Sequence, residues 1–212
     1  MSTENMQAPE LANIEIKGMT RESFMLKGAI AAGSVYGLST VAPFVNEAFA
    51  QSGGGDVDIL NFALTLEYLE AAFYDMAVQQ VKGLDSDTMK IATTLRDNEN
   101  EHVDAITQTV KQLKGKPVAK PGVDFGNAFA SKSQFLKTAQ TFEDLGVGAY
   151  NGAGPSIKSK EVLAAAGSIV QVEARHAGVI RLLNGQKIAP SPFDKGIEKA
   201  TVLMKAKPFI KG

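Results

Sequence analysis

The sequence contains no cysteine among its 212 residues, and this absence narrows the chemistry that the protein can perform. It excludes disulfides, thiolate nucleophiles, iron–sulfur clusters and zinc sites built on cysteine. It leaves the cellular compartment open, because exported and cytosolic proteins can both lack cysteine. Any metal site must therefore use oxygen and imidazole ligands, which suit iron, manganese or zinc better than copper(I).

The chain also lacks an excess of positive charge, since 22 basic residues face 23 acidic residues and the formal net charge is −1. Binding to nucleic acid by neutralising phosphates requires a basic surface, so we expect no nucleic-acid partner. Long apolar runs are scarce as well. The run from Gly28 to Asn46 is short and dilute in Leu, Ile and Phe, and it predicts no stable membrane span.

Residues 1–50 have the features of an export signal. Lys27 precedes the small, apolar run Gly28–Asn46, and Ala48–Ala50 ends the segment with an Ala-x-Ala cleavage pattern. The preceding segment TRESFM resembles a twin-arginine signal, although Glu22 stands where the second arginine belongs. These features favour an exported protein, periplasmic or extracellular. The alternative is a cytoplasmic protein whose uncleaved arm packs on its own domain or on a partner subunit in a homo-oligomer.

The rest of the chain predicts an all-α fold. Residues 51–55 read as a flexible linker, and residues 56–186 show the apolar spacing of four bundle helices. The predicted helices run from Asp56 to about Gly83, from Ser86 to about Gly115, from Ser131 to about Tyr150, and from Ser156 or Ser159 to Asn184. Residues 115–130 can extend about 50 Å, longer than a helix of about 40 Å, so they predict a long crossover between helices two and three of an antiparallel bundle. Residues 187–212 predict a tail with a short helix that packs on the bundle.

Both histidines of the sequence close the same motif, Glu-x-x-His. The motifs are Glu99–His102 and Glu173–His176, and each falls in the apolar seam of its helix. Positions i and i+3 share a helix face, with Cβ atoms about 5–6 Å apart, so a carboxylate and an imidazole can reach one metal ion. For either motif alone, the alternative is a hydrogen-bonded core histidine.

The two halves of the predicted bundle repeat one arrangement. Glu67 and Glu143 each lie mid-seam, and each is followed seven residues later by a tyrosine. A Glu-x-x-His on the next helix completes each half, which is the ligand pattern of di-iron and di-manganese carboxylate bundles. The six predicted metal ligands are Glu67, Glu99, His102, Glu143, Glu173 and His176. In this arrangement Glu99 and Glu173 bridge the ions, and the four negative carboxylates balance the four positive charges of two divalent ions.

Two segments resemble the ferritin-like superfamily, and within it the bacterial ferritin-like domain family related to plant desiccation-related proteins. They are residues 66–74 (LEYLEAAFY) and 143–153 (EDLGVGAYNGA), and the similarity covers about residues 56–184 together with the tail. The resemblance implies a ferritin-like four-helix bundle, the six ligands above and two iron ions, with two manganese ions as the alternative. It also implies that Tyr74 and Tyr150 lie beside the centre, where they hydrogen-bond a ligand or take part in electron transfer. A core tyrosine with a satisfied hydroxyl is the other interpretation.

A two-metal centre of this kind binds O2 or peroxide between ions about 3.5–4 Å apart. We therefore expect a small-molecule substrate, namely O2, peroxide or Fe(II), and an oxidoreductase of ferroxidase, peroxidase or manganese-catalase type. A non-enzymatic metal-binding or stress-protective bundle is the alternative class.

Two further features near the predicted ligands leave alternatives open. Gly146 and Gly148 each cost a helix roughly 1 kcal/mol relative to Ala, so they either leave room for a substrate or allow close contact between helices. Glu70, one turn from Glu67, is an alternative ligand, although we expect it on the surface or behind the ligands.

Overall fold

A computed structural model describes residues 55–211 of the chain. The predicted export signal in residues 1–50, and residues 51–54 of the predicted linker, lie outside the described residues. Between residues 55 and 211, no helix is long and apolar enough to cross a membrane.

Helices make up most of the described part of the chain and form a bundle. The four long helices are α1 (Asp56–Gln80), α2 (Ser86–Gln112), α3 (Lys132–Ala153) and α4 (Lys160–Leu183). Helix α1 packs along α2 and α3 packs along α4, while α1 also contacts α3 and α2 contacts α4. The predicted all-α helical bundle is confirmed.

Side-chain caps set the starts of three of these helices. Asp85, Ser131 and Ser159 precede α2, α3 and α4, and each side chain accepts a hydrogen bond from the backbone N–H three residues ahead. Helix α1 begins after Gly55 without a side-chain cap. Asp56 instead accepts the backbone N–H groups of Lys158 and Ser159, both at 2.8 Å, and so ties the start of α1 to the start of α4.

The crossover and the C-terminal tail hold each other in place. Residues 113–131 run from α2 to α3 and include β1 (Gly122–Val123), while the tail forms α5 (Lys199–Ala206) and β2 (Ile210–Lys211). The two strands pair antiparallel, with Gly122 opposite Lys211 and Val123 opposite Ile210. Strands this short give no alternating pattern, so the sequence does not predict the pairing.

Glycines on α3 let the tail approach the bundle closely. A Cβ at Gly148 would lie 2.4 Å from Ile197 Cδ1, and a Cβ at Gly152 would lie 2.2 Å from the Ile197 carbonyl oxygen. The Ile197 N–H donates to the Gly148 carbonyl at 2.8 Å. Of the two interpretations of Gly148, close contact is therefore the one observed, and its partner is the tail rather than another helix.

A cluster of aromatic rings fills the core at one end of the bundle. Phe73 contacts Phe125, Phe135 and Phe142, with ring centroids 5.1–5.6 Å apart, and it also packs edge-on against Tyr74 at 5.2 Å. Phe125 comes from the crossover, so this cluster fastens the crossover to α1 and α3. Tyr74 is consequently held on its apolar side, with its hydroxyl directed to the middle of the bundle.

Candidate metal centre

Four glutamates and both histidines meet in the middle of the bundle, with at least one contribution from each long helix. The glutamates are Glu67 on α1, Glu99 on α2, Glu143 on α3 and Glu173 on α4, and all four are 0 % exposed. His102 and His176 are buried as well, at 8 % and 3 % exposure. The structure thus brings all six sequence-predicted residues to one place.

The six side chains form two overlapping groups. Glu67 and His102 join Glu99 and Glu173 in one group, and Glu143 and His176 join the same two glutamates in the other. Within each group, one ligand atom from every residue lies within 4.8 Å of the others. Glu99 and Glu173 therefore belong to both groups, which is the placement that a bridging carboxylate needs.

Both histidines present the same ring nitrogen, Nδ1, to the carboxylates. His102 Nδ1 lies 2.9 Å from Glu173 Oε1, 3.1 Å from Glu99 Oε2 and 3.3 Å from Glu67 Oε2. On the other side, His176 Nδ1 lies 2.8 Å from Glu99 Oε1, 3.5 Å from Glu143 Oε2 and 3.8 Å from Glu173 Oε2. Each imidazole nitrogen therefore faces carboxylates from three different helices.

Hydrogen bonds within residues 55–211 do not satisfy this cluster. Several buried atoms of the cluster lie close to an imidazole or a carboxylate but have no aligned hydrogen bond there, namely Glu67 Oε2, Glu99 Oε1, Glu143 Oε2, both carboxylate oxygens of Glu173, and His176 Nδ1. Unpaired carboxylate oxygens are costly in a protein core unless a cation or protons offset their charge. Oxygen and imidazole donors that converge in this way fit a pair of iron or manganese ions.

The sequence matches the family model of the ferritin-like domain over residues 55–186. The chain belongs to the ferritin-like family. The match spans all four long helices and all six residues of the cluster. No curated protein matches the sequence significantly. The narrower resemblance to desiccation-related proteins stays a prediction.

Two tyrosines of this ferritin-like protein cross between α1 and α3. Tyr74 on α1 donates its hydroxyl to Glu143 Oε1 on α3 at 2.5 Å, and Tyr150 on α3 donates to Glu67 Oε1 on α1. Burial, and next the adjacent carboxylates, raise the pKa of both hydroxyls well above the usual range, so both tyrosines stay protonated donors. Each tyrosine engages one oxygen of its glutamate and leaves the other for the centre.

Burial and mutual repulsion govern the charges of the glutamates. Burial, and then repulsion by Glu173, raises the pKa of Glu67 well above its ordinary value, and burial foremost raises the pKa of Glu143 to about 8. Burial would raise the pKa of Glu99 too, but the adjacent imidazoles of His102 and His176 outweigh it and hold that pKa at about 2. Without metal, the cluster therefore retains protons that a metal ion would displace.

Burial and the carboxylates act in opposite directions on the pKa values of the imidazoles. Burial alone would lower the pKa values of His102 and His176, but the surrounding carboxylates outweigh it and raise both pKa values to about 12. A protonated imidazole cannot bind a metal ion, so loading the centre requires that these protons leave.

Sequence reasoning missed one partner of the cluster. The Asn98 side-chain amide lies 3.0 Å from His176 Nε2, the ring nitrogen that faces away from the carboxylates. A partner on this nitrogen fixes the orientation and tautomer of a histidine ligand. Asn98 directly precedes the first Glu-x-x-His motif but contacts the histidine of the second motif. No periodic signal within one helix predicts such a contact.

Of the two positions that we expected for Glu70, on the surface or behind the ligands, the surface position is wrong. Its side chain is only 3 % exposed, and burial followed by repulsion from Glu173 raises its pKa well above the usual range. Because Gly146 on the facing helix has no side chain, the Glu70 carboxylate fits between α1 and α3. The available signal was Gly146 itself, a glycine inside a predicted helix that left room for another group.

Proposed function

We propose that this ferritin-like protein binds two metal ions at the six-residue cluster and uses them in redox chemistry of iron, O2 or peroxide. The observation that supports the proposal is the overlap of two buried ligand groups that share Glu99 and Glu173. Both shared side chains are fully buried, so neither faces solvent.

The residues divide into three roles under this proposal. Glu67 and His102 hold one ion, Glu143 and His176 hold the other, and the shared glutamates hold both. A pair of iron or manganese ions held in this way supplies electron transfer to or from O2 or peroxide. The family match and the donor set support iron and manganese alike, with two iron ions as our first choice.

The protein environment contributes orientation and exclusion of water. Tyr74 and Tyr150 orient the terminal glutamates by donating hydrogen bonds from neutral hydroxyls. Asn98 orients His176 from behind. The four glutamates have no exposed surface, so only small molecules are suitable substrates for the cluster.

Elemental analysis of natively purified protein tests the proposal. We expect two equivalents of iron or manganese per chain, and we expect Glu99→Gln to lose both, because Glu99 contributes to both groups. Glu101→Gln is the matched control, since Glu101 lies on the exposed face of the same helix. Wild-type protein without stoichiometric metal, and a melting temperature that Glu99→Gln leaves unchanged, would refute the proposal.

Assays on the loaded protein separate the reaction types. Rapid oxidation of added Fe(II) supports a ferroxidase, and consumption of peroxide with release of O2 supports a catalase type with two manganese ions. Bound metal without turnover supports a metal-binding or stress-protective role instead.

We also propose that the protein is exported and that cleavage follows Ala50. The Ala-x-Ala pattern and the apolar run behind Lys27 support this proposal. Mass spectrometry of the mature N-terminus tests it. A secreted or periplasmic chain that still begins at Met1 or Ser2 would contradict cleavage.

A further inference from the structure

The outer face of α4 is uncharged over half of the helix, in contrast to the outer face of α2. Between Val162 and Ala174 the sequence has one ionisable residue, Glu173, and it is buried. The exposed residues of this stretch are Leu163, Ala164, Ala165, Ser168, Gln171 and Ala174. The exposed residues of α2 include the charged side chains Lys90, Asp97, Glu101, Asp104 and Lys111. The outer face of a surface helix is normally charged or polar, so this face of α4 is suited to contact with another protein surface.

A stripe of six residues on this face is symmetric about the middle of α4. The stripe consists of Leu163, Gly167, Gln171, Ala174, Gly178 and Leu182, which are spaced 4, 4, 3, 4 and 4 positions apart and so share one side of the helix. Leu163 and Leu182 lie at its two ends and are 45 % and 59 % exposed. Gly167 and Gly178 each lie one turn inside them, and each pair is centred between positions 172 and 173. A second α4 that runs antiparallel brings each residue opposite its counterpart, as the isologous contact of a two-fold dimer requires.

Gly167 and Ile188 have shapes that fit each other across such a contact. Among the described residues, a Cβ on Gly167 would meet no atom within 4 Å, although a glycine costs a helix about 1 kcal/mol relative to Ala. Ile188 of the tail lies against Gly178, and its side chain is 59 % exposed. Because Gly178 is the counterpart of Gly167, Ile188 of one copy meets the open space at Gly167 of the other.

We propose that two copies of this chain associate through α4 in an antiparallel two-fold contact, with Ile188 of each copy packed on Gly167 of the other. The contact does not use the metal centre, because Glu173 and His176 lie on the buried side of α4. The stripe is about 28 Å long and, at a helix width of about 10 Å, covers roughly 300 Å². A stable complex buries about 800 Å² per partner, so this dimer is expected to exchange with the monomer at micromolar concentrations.

Disulfide cross-linking tests the geometry directly, because the natural sequence has no cysteine. Leu163→Cys and Leu182→Cys are made in separate full-length chains, both at exposed positions. A mixture of the two variants is expected to form a cross-linked dimer under mild oxidation, since the antiparallel contact places the two positions opposite each other. Either variant alone is expected to stay uncross-linked, because its two thiols lie about 28 Å apart and a disulfide joins Cα atoms at most about 7 Å apart. Leu203→Cys, at an exposed position of α5, is the control partner for Leu182→Cys and is expected to give no cross-link.

A second variant blocks the contact without weakening the helix. Gly167→Gln places a long side chain where Ile188 of the other copy packs, and glutamine is a better helix former than glycine. Sedimentation equilibrium is expected to show that the dimer dissociation constant rises at least about tenfold, while the melting temperature does not fall. Ala165→Gln is the matched control, because Ala165 is exposed on α4 but lies outside the stripe. It is expected to leave the dissociation constant unchanged.

Three outcomes would overturn the inference. A full-length chain that stays monomeric up to near-millimolar concentration would show that residues 1–54 or a different protein cover the face. Cross-linking of Leu163→Cys alone to the same extent as the mixture would exclude the antiparallel contact. A dimer that Gly167→Gln does not weaken would show that the copies meet elsewhere. Metal content is measured separately, so none of these results bears on the proposed function.

Discussion

The metal-free protein is expected to become less stable as the pH rises from about 5 to 9. Glu143 has a pKa of about 8 in the fold against an ordinary 4.5, so between these values the folded state binds more protons than the unfolded state. Stability then falls with rising pH. One pKa unit is worth about 1.4 kcal/mol, so Glu143 alone accounts for a loss of at most about 5 kcal/mol.

Other buried groups at the centre and beside it act in the same direction above pH 5. Glu67 and Glu70 also have raised pKa values, and the stabilisation from His102 and His176 declines as the pH rises from 6.5 towards 12. Glu99 acts oppositely, because its pKa is lowered to about 2 and its contribution is lost only below about pH 4.5. The metal-free protein is therefore expected to be most stable near pH 5.

Denaturant unfolding of metal-stripped protein at several pH values measures this slope. Glu143→Gln is expected to flatten the slope, and Glu101→Gln, which is exposed, is expected to leave it unchanged. Bound metal replaces the protons, so the loaded protein is expected to gain stability from pH 5 to 8. Metal-free protein that is more stable at pH 8 than at pH 5 would refute the reasoning.

Three substitutions give further predictions. Tyr74→Phe removes the hydrogen bond to Glu143 and is expected to lower the free energy of unfolding by about 1.5–3 kcal/mol in denaturant titrations. Asn98→Ala frees His176 Nε2 and is expected to weaken metal binding by about 10–100-fold in competition with a chelator. Gly152→Ala forces a methyl group against the backbone of the tail and is expected to destabilise the fold by about 1–3 kcal/mol in the same titrations.

Each substitution has a control of the same residue type. Tyr68→Phe removes a hydroxyl that has no hydrogen bond among residues 55–211, and Asn100→Ala alters an exposed amide one turn from Arg96. Gly167→Ala adds a methyl group in open space and is expected to stabilise α4 by roughly 0.5–1 kcal/mol. Equal effects in a variant and its control would show that the named contact does not matter.

Sequence reasoning predicted the residues of the candidate site better than it predicted the residues around them. The i, i+3 spacing of Glu99 and His102, and the mid-seam position of Glu67, follow from the period of the α-helix alone. The burial of Glu70 depends on how α1 and α3 are rotated and how closely they approach. That approach is set by Gly146, which lies 76 positions further along the chain.

The sequence by itself therefore determined the four helices, the buried faces and the six residues that those faces carry, because helical periodicity is a local property of the chain. Only the tertiary structure decided that Tyr74 and Tyr150 cross to the opposite helix and that the tail pairs with the crossover. It also decided that Asn98 contacts His176, the histidine of the other Glu-x-x-His motif. These contacts join residues far apart in the chain, and their geometry depends on how helices pack against one another rather than on spacing within any one helix.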